Sequence, residues 1–414
     1  MSFSFSRRTL ALFPFILLAA CTQVTAQSVA LPEQVQESVL AAPTFAQWRQ
    51  GLRDEAVANG IDAALFDRVF AGVVPNPDVI RADSSQPEFT RPVWEYLDGA
   101  VSANRVGRGR VLLAQHDLLL ERITQRYGVE GAVLVAVWGL ESNFGNNIGN
   151  HNVLRSLATL AYEGRRQAFW RAQLLAALQI LQNGDISSEQ MLGSWAGAMG
   201  QTQFMPTTYN DYAVDFDGNG RRDVWQSPAD ALASAANYLQ KSGWKSGQPW
   251  GFEVRLPKGF DYALADPSQR MSLAQWRSLG VQFLSRKPVS DDLQATLMLP
   301  AGYQGPAFLL LDNFRSILRY NNSTAYALAI GLLSDNLVRN TQVKGSWPRA
   351  ERQLGRSERI ELQELLALRG FEPGPADGII GANTRKAIRS LQIQIGLPAD
   401  GYPSLQLLQW LRQS

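Results

Sequence analysis

The sequence predicts a mainly α-helical protein of the α+β class, in which a long helical region is followed by a small three-helix domain. Three observations carry that prediction. Apolar residues recur at three- and four-residue spacings through most of residues 43–345, only two stretches there read as short strands, and residues 358–414 contain an internal repeat. With 414 residues, 45% of them apolar and 18% charged, the chain can bury a sizeable core and form two or three domains. A net charge of +2 without a long basic run argues against nucleic acid as a partner. Eleven Trp and eleven Tyr are more than a core needs, and flat aromatic faces suit sugar rings.

At the start, Arg7 and Arg8 precede an apolar run from Thr9 to Ala20 that is too short to span a bilayer and has the layout of a secretory signal. The run ends in LLAAC, and Cys21 is the only cysteine of the chain. This ending resembles a bacterial lipoprotein signal, which implies removal of residues 1–20 and a lipid on Cys21. Thr22 stands where an Asp would favour the inner membrane, so the resemblance implies the periplasmic face of the outer membrane. The alternative is an ordinary signal with an incidental Cys. A single cysteine excludes disulfides, and the twin-arginine start leaves the export route open. Residues 21–42 read as a tether.

In the middle region, LFDRVFAGV, VLLAQHDLLLERITQRYG and FWRAQLLAALQILQNGD have helical spacing, and the stretch from AFLLLDNF to GLLSDNL continues it. GFEVRLP and PAFLLL read as short strands. Residues 346–357, with Pro348, several charges and no apolar period, read as a linker. After it PADG occurs at Pro375–Gly378 and again at Pro398–Gly401, each time after an apolar helical stretch, so that three short helices joined by Asp-Gly turns are expected. This segment resembles the peptidoglycan-binding module of bacterial wall enzymes. The likeness is carried by Gly370-Phe371, Asp377-Gly378, Gly381, Thr384, Ala387-Ile388, Leu391-Gln392, Gly396-Leu397 and Asp400-Gly401.

The middle region is short of ordinary catalytic machinery. Its two histidines, His116 and His151, have no second cysteine and no G-x-S-x-G, P-loop or dinucleotide glycine pattern beside them. Carboxylate chemistry remains. In AVWGLESNFG the chain runs from an apolar stretch, VLVAVWGL, into Glu141 with no basic neighbour. A helix apolar nearly all round is buried, and a carboxyl at its end loses hydration, which raises its pKa and suits it to donate a proton. The competing assignment is a structural Glu bonded to a nearby loop. GSWAGAMGQTQFMPTTY, residues 193–209, is too glycine-rich for a good helix and too apolar for a solvated loop. It could line a cleft and present Ser194, Gln201 and Gln203 to a hydroxyl-rich ligand. In DFDGNGRRD, residues Asp215, Asp217, Asn219 and Gly220 match the first positions of an EF-hand loop, but position twelve is Gln226. Asp230 supplies the missing carboxylate only if the loop is longer, and an ion-free Asx-turn loop is the alternative.

ESNFG, GAMGQTQFMP, YAVDFDGNG and RYNNSTAYA together resemble, in order, the signature stretches of the lytic murein transglycosylase B family, over about residues 45–340. The resemblance implies a lysozyme-like fold with extra helical lobes. It implies cleavage of the β-1,4 bond between N-acetylmuramic acid and N-acetylglucosamine in peptidoglycan glycan strands, with Glu141 as sole catalytic acid. Ser194, Gln203, Tyr238, Tyr320 and Asn321 fall at substrate-cleft positions. Asp215, Asp217, Asn219, Arg221 (through its carbonyl) and Asp230 fall at those of a structural Ca²⁺ loop. WQSPAD, before Asp230, is one residue longer than the family pattern. No cofactor is implied for the chemistry itself.

A conventional glycosidase uses two carboxylates, and no second acid occurs in the cleft-like stretch. The resemblance implies that one suffices: Glu141 protonates the glycosidic oxygen, then takes the proton of the muramic C6 hydroxyl, which closes a 1,6-anhydro ring. Two alternatives stay open at this point. One is a muramidase that uses water, and the other a non-catalytic peptidoglycan anchor protein.

Overall fold

The computed structural model describes residues 43–84, 91–284 and 289–413. The signal at residues 1–20, the tether and Cys21 lie outside the described residues. Four hydrophobic cores organise the rest.

The first core surrounds the helix Gly131–Ser142, in which every residue from Val133 to Gly139 is buried. With no polar face to turn outward, this helix must be enclosed on all sides. The helices Ala103–Gln115, Asp117–Tyr127, Pro228–Lys241 and Thr324–Arg339 enclose it. Fully burying a Val or Leu side chain is worth roughly 1.5–3 kcal/mol, so the packing fixes this helix firmly. The stretch VLLAQHDLLLERITQRYG does not form one helix. Its helix stops at Gln115 and restarts at Asp117, with His116 (φ −103°, ψ 16°) outside helical geometry between them. Asp117 in a first turn favours the restart.

A second core holds the helices Phe45–Ala58, Ala63–Val69, Val153–Glu163, Gln167–Gln182 and Pro206–Tyr212. Here Asn152 caps the helix Val153–Glu163, its side chain accepting from Arg155 N–H at 2.9 Å. Strand β1 (His151–Asn152) pairs antiparallel with β2 (Leu192–Gly193), His151 opposite Gly193. That pairing anchors the start of the glycine-rich stretch.

The third core lies under a five-stranded antiparallel sheet. Its strands are β3 (Gly251–Arg255), β4 (Met271–Ser272), β5 (Gln282–Phe283), β6 (Gln294–Met298) and β7 (Ala307–Leu310), in the order β4-β6-β7-β3-β5. GFEVRLP and PAFLLL supply β3 and β7, paired with Phe252 opposite Leu309. Beneath the sheet Trp276 is fully buried and donates its indole N–H to the Ala295 carbonyl at 3.1 Å.

The fourth core belongs to three helices, Arg356–Leu368, Ala382–Gln394 and Leu405–Gln413. The first begins at Arg356, inside the stretch read as linker. That stretch is also fastened down. Trp347 packs on Trp94 with ring centroids 6.3 Å apart, and Arg349 makes a two-pronged ion pair with Asp98 at 2.7 and 2.8 Å. Its charges serve contacts with the helix Val93–Ala100 and not solvation alone.

Candidate active site

Glu141 is the penultimate residue of the buried helix, where the negative end of the helix dipole disfavours a second negative charge. It is half-buried and accepts a hydrogen bond from the Tyr326 hydroxyl at 2.6 Å. Burial pushes its carboxyl up to about 7, against the smaller opposing pull of the Tyr326 bond. Among the described residues no other carboxylate contributes to that shift. Such a group holds its proton in a large share of molecules at neutral pH and can lose it without a large penalty.

Beyond Ser142 the chain turns sharply, with Asn143 (φ 50°), Phe144 (φ 60°) and Gly145 (φ 80°) all left-handed. A Cβ on Gly145 would lie 2.7 Å from Gln201 Oε1, so glycine is required both by conformation and by contact. The turn brings the helix end against the glycine-rich stretch. There Gly200 (φ 67°) has the Val224 carbonyl 2.6 Å from where its Cβ would be, which lets the two backbones approach.

The structure brings most of the expected cleft residues to this region. Ser194 is half-buried, its hydroxyl oxygen accepting from Ala198 N–H at 3.0 Å while its own proton can be donated elsewhere. Gln203, left-handed at φ 51°, commits its amide nitrogen to the carbonyls of Ile148 and Gly200, at 3.1 and 2.8 Å. Tyr238 and Tyr320 form an aromatic cluster with Phe204, their ring centroids 5.0 Å apart. The Tyr320 hydroxyl donates to the Thr202 carbonyl at 2.7 Å, and that of Tyr238 to the Arg319 carbonyl at 2.5 Å. Burial first, and then the Glu141 charge, hold Tyr320 well above the usual tyrosine range. Asn321 caps the helix Asp312–Tyr320 with its side chain exposed to solvent.

Two corrections arise here. Gln201 does not face a ligand, because it is 5% exposed and its side chain is bonded at both ends, accepting from Trp138 Nε1 and donating to the Trp225 carbonyl. Tyr326 touches the acid and had been given no role. Its only signal was its place inside RYNNSTAYA, three residues into the helix Thr324–Arg339.

The acidic loop is compact. Carboxylate oxygens of Asp215, Asp217 and Asp230 lie within 4.8 Å of one another. Asp230 is fully buried and accepts from the N–H groups of Phe216, Asp217 and Asp223 at 2.8, 3.3 and 2.9 Å. Burial raises its carboxyl, and the Asp217 charge adds to the rise. Desolvation also pushes Asp215 up, but bonds from Gly218, Asn219 and Gly220 outweigh it and hold that carboxyl below the usual range. The Asn219 side chain accepts from Arg221 N–H at 3.0 Å, which shapes the turn. The longer WQSPAD segment therefore does not keep Asp230 from the other two. Three hard oxygen ligands around one point fit a calcium-sized cation.

Comparison with known proteins agrees with this geometry. The family described as Transglycosylase SLT domain matches residues 44–335, and a peptidoglycan binding domain matches residues 355–411. SltB3 from Pseudomonas aeruginosa, solved in complex with NAG-anhNAM-pentapeptide, is 60% identical; the match covers 89% of this chain and 99% of that one, with a TM-score of 0.86. Membrane-bound lytic murein transglycosylase B from Escherichia coli (strain K12) is 30% identical over 359 residues, 79% of this chain and 96% of that protein. The Escherichia coli lytic transglycosylase SLT35, solved in complex with calcium, is 29% identical, covering 70% of this chain and 92% of that one at a TM-score of 0.61. The chain belongs to the transglycosylase SLT family and is an enzyme of the lytic murein transglycosylase type, with a peptidoglycan binding domain after its catalytic region.

Proposed function

We propose that this chain cleaves the N-acetylmuramic acid–β-1,4–N-acetylglucosamine bond without water, with Glu141 as acid and then base. The observation that carries the proposal is a half-buried carboxyl raised to about 7, with no carboxylate partner shifting it among the described residues. Protonated Glu141 gives its proton to the glycosidic oxygen as the bond to C1 breaks, and the substrate's N-acetyl carbonyl stabilises the charge left at C1. Ionised Glu141, held by the Tyr326 hydroxyl, then takes the proton of the C6 hydroxyl while that oxygen bonds to C1. The products are a 1,6-anhydro-muramic end and a free C4 hydroxyl on the glucosamine. An internal nucleophile has the advantage of proximity over water. The P. aeruginosa SltB3 complex with an anhydro-sugar peptide supports this product class.

Ser194, Gln203, Tyr238, Tyr320 and Asn321 are assigned to the sugar cleft, where hydroxyl and aromatic groups suit a glycan. Asp215, Asp217, Asn219, the Arg221 carbonyl and Asp230 are assigned to a structural Ca²⁺, whose charge would offset three carboxylates held close together. The calcium complex of SLT35 supports that reading. Cys21 is assigned to a lipid anchor at the outer membrane. Among the described residues no helix is long and apolar enough to cross a membrane.

The test is digestion of isolated peptidoglycan sacculi by the wild type and by Glu141→Gln. Anhydro-muropeptides should appear with the wild type and fall about 10²–10⁴-fold with the variant, the range expected of a general acid–base residue. Reducing-end products would instead identify a muramidase, and undiminished release by Glu141→Gln would remove Glu141 from the chemistry.

A further inference from the structure

We propose that Gln201 is a positioning residue for Glu141, fastening the end of the acid's helix to the glycine-rich stretch and to the chain that follows the acidic loop. This rests on the reading of Glu141 as the acid. Gln201 is 5% exposed, and each of its polar groups is used. Its side-chain Oε1 accepts from Trp138 Nε1 at 2.9 Å and its Nε2 donates to the Trp225 carbonyl at 3.1 Å. Its backbone carbonyl accepts from the Ser142 hydroxyl at 2.7 Å, and its backbone N–H donates to the Val224 carbonyl at 2.8 Å.

The two helix partners flank the acid. Trp138 lies one turn before Glu141 and Ser142 directly after it, so a single residue holds the helix on both sides of the reacting group. The helix ends at Ser142, where the turn itself meets the backbone carbonyls of Trp138 and Ser142 through Phe144 and Asn147 N–H at 3.1 and 2.8 Å, and Gln201 fastens the side chains of the same two residues. The other two bonds run to Val224 and Trp225, and Trp225 N–H is itself held by the Asp223 carboxylate at 2.9 Å. Gln201 thus ties the acid to a second rigid segment. Without its amide, the buried Trp138 N–H loses its acceptor, and of the two Gln201 contacts the last helical turn keeps only the Ser142 bond to the backbone carbonyl, which leaves it less firmly held. A displacement of about 1 Å at a reacting group can cost on the order of 10²-fold in rate.

Gln201→Met keeps the approximate shape and removes the amide, while Trp138→Phe deletes the same hydrogen bond from the other side. Each is assayed for kcat and KM on soluble glycan strands, and Glu141 is titrated directly by carboxyl-carbon NMR without substrate. Gln201→Met should lower kcat about 10- to 100-fold with KM little changed, and move the Glu141 titration midpoint down as water reaches the carboxyl. Trp138→Phe should reproduce the midpoint shift, and adding it to Gln201→Met should change little, since the bond it deletes is already lost there. Variants that melt at lower temperature but keep the wild-type kcat and midpoint would reduce Gln201 to a packing residue and overturn the proposal. Should Gln201→Met fail to fold, Trp138→Phe decides by the same two readouts. An active Glu141→Gln would sink the acid assignment instead, whatever the Gln201 variants do.

Discussion

Burial and the Tyr326 hydroxyl act in opposite senses on the Glu141 carboxyl. Burial favours the protonated form and raises it to about 7, while the donated hydrogen bond favours the ionised form and restrains the rise. Tyr326 itself is held well above the usual tyrosine range, first by burial and then by the Glu141 charge, so it remains a donor throughout. Tyr326→Phe removes the restraint. The acid then stays protonated to higher pH, so the alkaline fall in kcat, expected near pH 7 for the wild type, should begin at higher pH in the variant. Because the ionised form is then less well stabilised, the peak rate should also drop. A pH–rate profile on glycan strands checks both, and a limb that stays put or moves down would contradict the opposing pull.

At the scale of elements, the acidic loop and the acid's helix show what patterns reveal. If Asp215, Asp217 and Asp230 hold Ca²⁺, ligand at about 100 times its dissociation constant should stabilise the fold by about 2.7 kcal/mol. Thermal melting with Ca²⁺ and with a chelator should then differ by several degrees, and Asp230→Ala should abolish the difference. Equal melting temperatures in the wild type would leave an ion-free turn loop. The loop was legible because its Asp-x-Asp-x-Asn-Gly spacing is local, and the helix Gly131–Ser142 because it is apolar all round. The helix break at His116 was not legible, since apolar spacing continues across it. Strands β4 and β5, two residues each, are too short to show alternation. The role of Gln201 was hidden because its partner Trp138 is 63 residues away, and amides read equally well as ligand-facing until that contact is seen.

In the whole molecule the two PADG repeats are alike within and unlike without. Gln363 accepts from Gly378 N–H and Gln392 from Gly401 N–H, both at 2.8 Å. Asp377 is exposed, whereas Asp400 is buried and accepts from Gln392, from Tyr402 N–H and from Tyr303 N–H of the sheet region at 2.8, 2.9 and 2.8 Å. Arg389, also buried, pairs with Asp266 of that region. Asp400→Ala would leave the buried Gln392 amide without its acceptor, at about 1–3 kcal/mol, and would remove the acceptor of the part-buried Tyr402 and Tyr303 N–H groups as well. Calorimetry should show the three-helix domain melting as a separate, earlier transition, with the catalytic region little changed. A single transition at the wild-type temperature would mean that Asp400 contributes nothing to the docking. Because Glu141 has no carboxylate partner shifting it among the described residues, the same group must serve successive cleavages. In the proposed cycle the proton it gives to the leaving oxygen is replaced by the one it takes from C6, so each turnover returns the enzyme to its starting charge. No exchange with bulk solvent has to intervene before the next bond, and the buffer serves only to set the fraction of molecules that begin ready.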